Sequence, residues 1–184
     1  SYRFLKEDEH LLEEIDPTLI VFDDSSMNTI QGGQFSNPEN ETPARFIRTK
    51  KTSTLIVSGT DFYNATSIHR GSFLLLESCG ESSIINCRFI SGYDKDNCAH
   101  GIFAKQGEVK ILQCNFDKVM RDSSSEGSII LSETKRFEFE ENSIKFNNPF
   151  INCRFLYLPS TGTYNIRQNV FQNLKLNEKG NTIY

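Results

Sequence analysis

The chain has 184 residues, a formal net charge of −4, 24% charged and 37% hydrophobic residues. These fractions are near the globular average, which excludes general disorder and a collagen-like chain. The mild acidity argues against a nucleic-acid partner, which needs clustered basic residues, and no apolar run reaches the ~20 residues that span a bilayer.

The first predicted element is a short amphipathic helix over residues 3–15. Its apolar residues fall on one helical stripe among Lys and Glu; they are Phe4, Leu5, Leu11, Leu12 and Ile15. Asp16-Pro17 would end this helix. We expect residues 1–18 to cap the repeat that follows, because stacked strands leave an open edge that such proteins cover. A disordered tail is the alternative.

Residues 19–184 carry an internal repeat of 27 residues. A column of large apolar residues recurs at this spacing with one step of 28, and we call it the ladder column: Phe35, Phe62, Phe89, Phe116, Ile144 and Phe171. Five residues before each member lies another large apolar residue, and two before lies a small or polar one. Because several columns repeat together, the chain is predicted to be a repeat protein.

Each repeat is predicted to contain short strands. An apolar run such as Phe73-Leu74-Leu75-Leu76 is followed by a polar turn and a run with period-two alternation, such as Glu108-Val109-Lys110-Ile111. No repeat has a 3.6-residue pattern, and no Asn-Gly signal predicts hairpins. We therefore predict an all-β solenoid of about six 27-residue coils, stacked as parallel in-register strands around the ladder column.

This pattern resembles the right-handed parallel β-helix of the pectate-lyase-like superfamily. The resemblance rests on the columns and on the small polar residue before the ladder residue, as in Asn86-Cys87-Arg88-Phe89 and Gln113-Cys114-Asn115-Phe116. Gly101-Ile102 and Gly127-Ser128-Ile129-Ile130 are similar to polymorphic-outer-membrane-protein repeats of surface proteins, although the doubled glycine of that type is absent. The resemblance implies a β-helix over residues 19–184, and the superfamily includes polysaccharide lyases and glycoside hydrolases.

An enzyme of that kind needs clustered outward carboxylates. Glu138 and Glu140 alone form an acidic pair on one predicted outer face, with Lys110 and Arg167 one coil away. Surface ion pairing is the simpler explanation of this pair, so no residue is assigned as catalytic. No Cys or His spacing predicts a metal site, and we expect no cofactor.

The candidate binding residues are the outward apolar pair Ile85 and Leu112, and three residues of the loop 90–101, namely Tyr93, Asp94 and Asp96. A solvated turn is the alternative for that loop. The sequence thus predicts a non-catalytic scaffold or adhesin-like segment that contacts a protein or a glycan. The alternatives are a carbohydrate-active enzyme that uses Glu138 and Glu140, and a tailspike-like trimer.

Five cysteines leave at least one thiol unpaired. Cys87 and Cys114 lie one period apart and are predicted to be free, half-buried thiols, because parallel in-register side chains strain a disulfide. Cys79 is predicted to lie in a turn. Unpaired thiols favour an intracellular setting, whereas the acceptor sequences Asn40-Glu-Thr42 and Asn64-Ala-Thr66 favour an extracellular one. The compartment therefore stays open.

The C-terminal residues Thr182-Ile183-Tyr184 fall where the strand of another coil would begin. We expect this open strand edge to be covered by more coils or by a partner chain.

Overall fold

The computed structural model of the protein describes residues 18–36, 45–65, 71–90, 101–117, 128–145 and 154–173. In these residues the chain forms eighteen strands and no helix. Three consecutive strands make one coil, and equivalent strands of successive coils pair in parallel, which builds three six-stranded sheets. The predicted all-β parallel solenoid is confirmed.

The strands of each sheet follow one another along the solenoid. The first sheet contains β1 (Thr18–Phe22), β4 (Arg45–Thr49), β7 (Leu74–Leu76), β10 (Ile102–Ala104), β13 (Ser128–Ser132) and β16 (Arg154–Tyr157). The second contains β2 (Met27–Gln31), β5 (Thr52–Ser58), β8 (Cys79–Ile85), β11 (Glu108–Leu112), β14 (Arg136–Glu140) and β17 (Thr163–Arg167). The third contains β3 (Gln34–Ser36), β6 (Asp61–Tyr63), β9 (Arg88–Ile90), β12 (Asn115–Asp117), β15 (Ser143–Lys145) and β18 (Val170–Gln172).

The ladder column lies at the centre of the third sheet. Each member pairs in register with the next, from Phe35 through Ile144 to Phe171. The first four rings stack with centroids 4.9–5.3 Å apart and interplanar angles of 6–11°. Rings from the first sheet meet this stack edge-on, with Phe73 5.2 Å from Phe89 and Phe155 5.4 Å from Phe116. Both geometries are favourable for aromatic pairs, so the phenylalanines form the core.

The number of residues between consecutive strands is constant at one corner of the coil and varies at the next. The inner residue of the second sheet precedes the ladder residue by five positions in every coil, from Ile30 and Phe35 to Ile166 and Phe171. The step from the ladder column to the next first-sheet strand varies by up to two residues. The 28-residue step arises there, between β12 and β13.

In every coil, the corner between the second and third sheets begins with a residue in the left-handed region. It lies three positions before the ladder column, and its φ is 68° in Gly32, 58° in Gly59, 52° in Asn86, 54° in Gln113, 55° in Glu141 and 55° in Gln168. Gly and Asn adopt this conformation most readily, whereas other residues incur strain of about 1 kcal/mol or more. This residue turns the chain from the second sheet into the third, and in the first coil the following Gly33 is left-handed as well, with φ at 83°.

The next residue in the chain points inward and forms what we call the corner ladder: Thr60, Cys87, Cys114, Asn142 and Asn169. Asn142 Oδ1 accepts a hydrogen bond from the Cys114 amide at 2.8 Å, and Asn142 Nδ2 donates to the Ile111 carbonyl at 3.0 Å. Both partners belong to the preceding coil. Asn169 does the same for the Asn142 amide and the Phe139 carbonyl, at 2.9 and 2.7 Å. Asn142 and Asn169 thus each satisfy two backbone groups that the corner leaves unpaired.

The predicted terminal elements lie outside the described residues. These are the capping helix over residues 3–15 and the strand from Thr182. The first described strand, β1, begins at Thr18, one residue before the predicted start at Leu19.

We expect Asn142→Ala to lower the free energy of unfolding by about 3 kcal/mol, because the Cys114 amide and the Ile111 carbonyl lose their partner in the interior. Asn115→Ala removes the same side chain from an exposed position in β12, and its effect should stay within about 0.5 kcal/mol. Urea unfolding of both variants measures the difference. Equal losses would show that the corner ladder adds no stability.

Gly107 lies at the corner before β11, with φ at 85°, and a Cβ there would lie 1.9 Å from the Cys79 carbonyl oxygen. Gly59 also has positive φ, but an added Cβ meets no atom within 4 Å. We expect Gly107→Ala to cost more than about 3 kcal/mol through this overlap. Gly59→Ala should cost only about 1 kcal/mol of backbone strain. Thermal unfolding of the two variants separates overlap from strain, and similar melting temperatures would contradict the close approach.

Candidate functional site

The outer face of the second sheet, which we call the second-sheet face, carries the predicted apolar pair. Ile85 and Leu112 pair in register on β8 and β11, and both are half-buried. Ile56 of β5 also points outward and is half-buried. Ile56 is in register with Ser83, so it extends the Ile85–Leu112 pair diagonally, and we call these three residues the apolar patch. Their role in binding stays a prediction.

Charged residues flank this patch and form ion pairs with one another. Lys110 Nζ lies 3.0 Å from Glu81 Oε1 of the preceding coil, and Glu81 raises the pKa of Lys110 through this hydrogen bond. Arg136 lies 2.8 Å from Glu138, and Arg167 lies 2.9 Å from Glu140. The face therefore combines an apolar centre with charges that are mutually compensated.

Glu138 and Glu140 lie two residues apart on β14, as the alternation predicts. Glu140 is only 9% exposed; its Oε2 faces Arg167 and its Oε1 accepts a hydrogen bond from the Asn165 amide. Arg167 is thus a cross-strand partner, as expected. Lys110 makes its ion pair with Glu81, while Glu138 accepts its hydrogen bond from Arg136 at 3.0 Å. The alternation along β14 could have indicated Arg136, since it shares a face with Glu138.

The outer face of the third sheet holds a polar cluster that the sequence reasoning missed. Arg88 Nε donates to Asp61 Oδ1 at 2.7 Å, its Nη2 donates to Asp61 Oδ2, and the Tyr63 hydroxyl lies 3.1 Å from Nη2. The Arg88 guanidinium lowers the pKa of Asp61. Asp61 and Arg88 are one period apart, which is the signal that could have found the pair.

The outer face of the first sheet contains a buried apolar column. Leu75, Phe103 and Leu131 pair in register and are only 4–5% exposed, with Tyr157 packed against them. They point away from the core that the ladder column occupies. Continuous apolar runs such as Leu74–Leu76 are typical of strands buried on both faces, and this pattern could have indicated the buried outer column.

The interior thiols are more buried than predicted. Cys79, Cys87 and Cys114 are free, as expected for the stacked pair, but their exposure is 0–2% rather than half. Cys79 begins strand β8 instead of lying in a turn. Burial raises the pKa of Cys114, whereas a hydrogen bond with Cys114 lowers that of Cys87. These thiols fill corner positions, and Cys98 and Cys153 lie outside the described residues.

Several predicted site residues cannot be placed. The binding-loop residues Tyr93, Asp94 and Asp96 lie outside the described residues. Within the described ranges, no three His, Cys, Asp or Glu side chains are grouped to hold a metal ion. The same part of the chain contains no helix with the length and hydrophobicity to cross a membrane.

The chain was compared with protein-family models, with curated proteins and with solved structures, and no match was found.

The Asp61–Arg88 pair predicts a pH dependence. The pKa of Asp61 is below its ordinary value of 3.8 in the folded chain, so its stabilisation is complete above that value and is lost as the pH falls through the lowered pKa. We expect Asp61→Asn to lower the urea midpoint at neutral pH and to reduce the further loss between about pH 5 and pH 2.5. The exposed Asp23 provides the control variant Asp23→Asn, and equal acid sensitivity of the two variants would contradict the pairing.

Proposed function

We propose that the chain is a non-catalytic β-helical interaction module, a scaffold or adhesin-like segment that contacts a protein or a glycan through its second-sheet face. The observation that carries this proposal is the engagement of the outward carboxylates by neighbouring donors. Arg136 bonds Glu138, and Arg167 and Asn165 bond Glu140. The acidic pair is thereby part of the surface framework of the sheet.

The same contacts disfavour a carbohydrate-active enzyme. A glycosidase needs one carboxyl group that donates a proton and a second that acts as nucleophile or base, both directed at the substrate. Each oxygen of Glu140 already accepts a hydrogen bond or ion pair from within the sheet. Substrate would have to displace Arg167 and Asn165 to reach them.

The half-exposed apolar patch supports a binding role. Ile56, Ile85 and Leu112 lie on regular parallel strands, so their positions are fixed before any partner arrives. A preorganised surface loses little conformational entropy on binding. The patch is bordered by compensated charges, which resembles the apolar centre and polar rim of protein interfaces.

We infer that the solenoid is right-handed and of the pectate-lyase-like type, as the sequence resemblance implies. Its support is the parallel pairing of every sheet, because connections between parallel strands are right-handed in about 98% of cases.

Site-specific photo-cross-linking in the cells that produce the chain tests the proposal. A photoreactive residue at Leu112 should give one discrete adduct, whereas one at the exposed Ser36 of the third sheet should give none. Replacing Ile85 and Leu112 together by Lys should weaken the partner's affinity by about tenfold or more, from the apolar burial that is lost. Ser36→Lys is the matched control.

Incubation with a panel of acidic and neutral polysaccharides tests the enzymatic alternative. We expect no cleavage by the wild-type chain or by the Glu138→Gln/Glu140→Gln variant. Product release by the wild type that the variant loses would overturn the scaffold proposal.

A further inference from the structure

Asn64 occupies an outward corner at the end of the third-sheet strand β6. Its φ is 53°, and its backbone amide donates to the Ile90 carbonyl of the next coil at 3.0 Å. The next residue, Ala65, is fully buried and fixes the chain at this point. Other residues with positive φ in this solenoid, such as Asn86 and Gln113, are exposed. Asn64 itself is partly exposed.

The side-chain amide of Asn64 makes no hydrogen bond to the described part of the chain. Other asparagines use theirs within the fold, since Asn142 and Asn169 bond backbone carbonyls and Asn165 bonds Glu140. Reaction at the partly exposed Asn64 amide therefore breaks no hydrogen bond within the described residues.

Asn64 also begins the sequence Asn64-Ala65-Thr66, in which the hydroxyl residue two positions later completes an N-glycosylation acceptor. Asn173 holds the equivalent place after Phe171, with φ at 59°, but Leu174-Lys175 follows it. The left-handed backbone conformation is thus sufficient to explain an asparagine at either position. Only Asn64 is also followed by the threonine that completes an acceptor sequence.

We propose that Asn64 is an N-linked glycosylation site when the chain enters the secretory pathway. The amide nitrogen of Asn64 attacks the anomeric carbon of a lipid-pyrophosphate-linked oligosaccharide. A C–N bond forms, the anomeric C–O bond breaks, the lipid pyrophosphate leaves with the electron pair, and the nitrogen loses one proton. The glycan projects from the end of the third sheet, where it is bulky, polar and solvent-facing.

Buried thiols are compatible with such a compartment. Cys79, Cys87 and Cys114 are at most 2% exposed, and oxidation of thiols requires access as well as thiolate character. The absence of disulfide bonds between these three cysteines is therefore compatible with secretion. Attachment at β6 also leaves the second-sheet face uncovered, because Asn64 follows the strand of another sheet.

The test is cell-free translation of the full chain behind a cleavable signal peptide, in the presence of microsomes. Translocated chains are selected by protease protection, and the glycan at Asn64 is detected by peptide mass spectrometry before and after amidase deglycosylation. We expect occupancy at Asn64 in the wild type and in Thr66→Ser. Occupancy should be lost in Thr66→Ala, which keeps the asparagine itself, and in Asn64→Gln.

Protected wild-type chains whose Asn64 peptide is unmodified would overturn the proposal, whether or not Asn40 of the second acceptor sequence is modified. So would equal occupancy in Thr66→Ala and the wild type. The glycosylated chain and the chain translated without microsomes should also unfold at the same urea concentration within error, because the Asn64 amide has no hydrogen-bond partner among the described residues. A lower urea midpoint for the glycosylated chain would contradict the free outward position assigned to Asn64.

Discussion

The structure depends on hydrogen bonding at the corner between the second and third sheets. Parallel in-register strands pair their backbone groups automatically, but a left-handed residue at the corner turns two groups away from that pairing. Where the corner ladder contains asparagine, it restores both bonds from the next coil, as Asn142 does for the Cys114 amide and the Ile111 carbonyl. An unpaired buried backbone group costs about 1–3 kcal/mol, so the corner cannot shift. The constant five-residue step across it, and the variable lengths elsewhere, follow from this constraint.

The fixed corner also determines which surfaces remain for function. Since the register cannot slip, each outward position forms a continuous column along the solenoid. The first-sheet column around Phe103 is covered and serves as a second small core. The third-sheet column is occupied by the Asp61, Arg88 and Tyr63 network. The second-sheet face consists of regular parallel strands and has the partly exposed apolar side chains of Ile85 and Leu112 at its centre. The proposed interaction site and the proposed glycan at Asn64 therefore lie on different sheets of the solenoid.

The 27-residue periodicity of the sequence predicted those features of the fold that recur in every coil. The ladder column, its pairing and the outward placement of Ile85, Leu112, Glu138 and Glu140 all follow from a 27-residue spacing. The left-handed corner conformation and the choice of ion-pair partners could not be predicted in this way. Both depend on contacts between particular neighbouring residues, and the repeat spacing does not determine which of several possible contacts forms. Gly32, Gly59 and Asn86 could have indicated the left-handed corner, but Gln and Glu at the later positions obscure it. The sequence Ile-Asn-Cys-Arg-Phe occurs twice, yet its Phe89 lies in the third sheet and its Phe155 in the first.

The chemistry of the corner ladder makes the solenoid directional. Each of its side chains forms hydrogen bonds with backbone groups of the preceding coil. The strength of these bonds differs between the cysteine and the asparagine positions. Cys114 Sγ lies 3.5 Å from the Cys87 amide, a long and weak contact, whereas Asn169 Oδ1 lies 2.9 Å from the Asn142 amide. An amide offers a strong donor and a strong acceptor, and a thiol offers weak ones. In a chain whose stability is a sum of coils and nearest-neighbour interfaces, the interfaces closed by Asn142 and Asn169 are therefore the better hydrogen-bonded ones.

The β6–β9 and β9–β12 interfaces depend more on the stacked rings of Phe62, Phe89 and Phe116, which are closest there. Aromatic packing and corner hydrogen bonding thus complement each other along the axis: the ring stack ends at Ile144, where the asparagines begin.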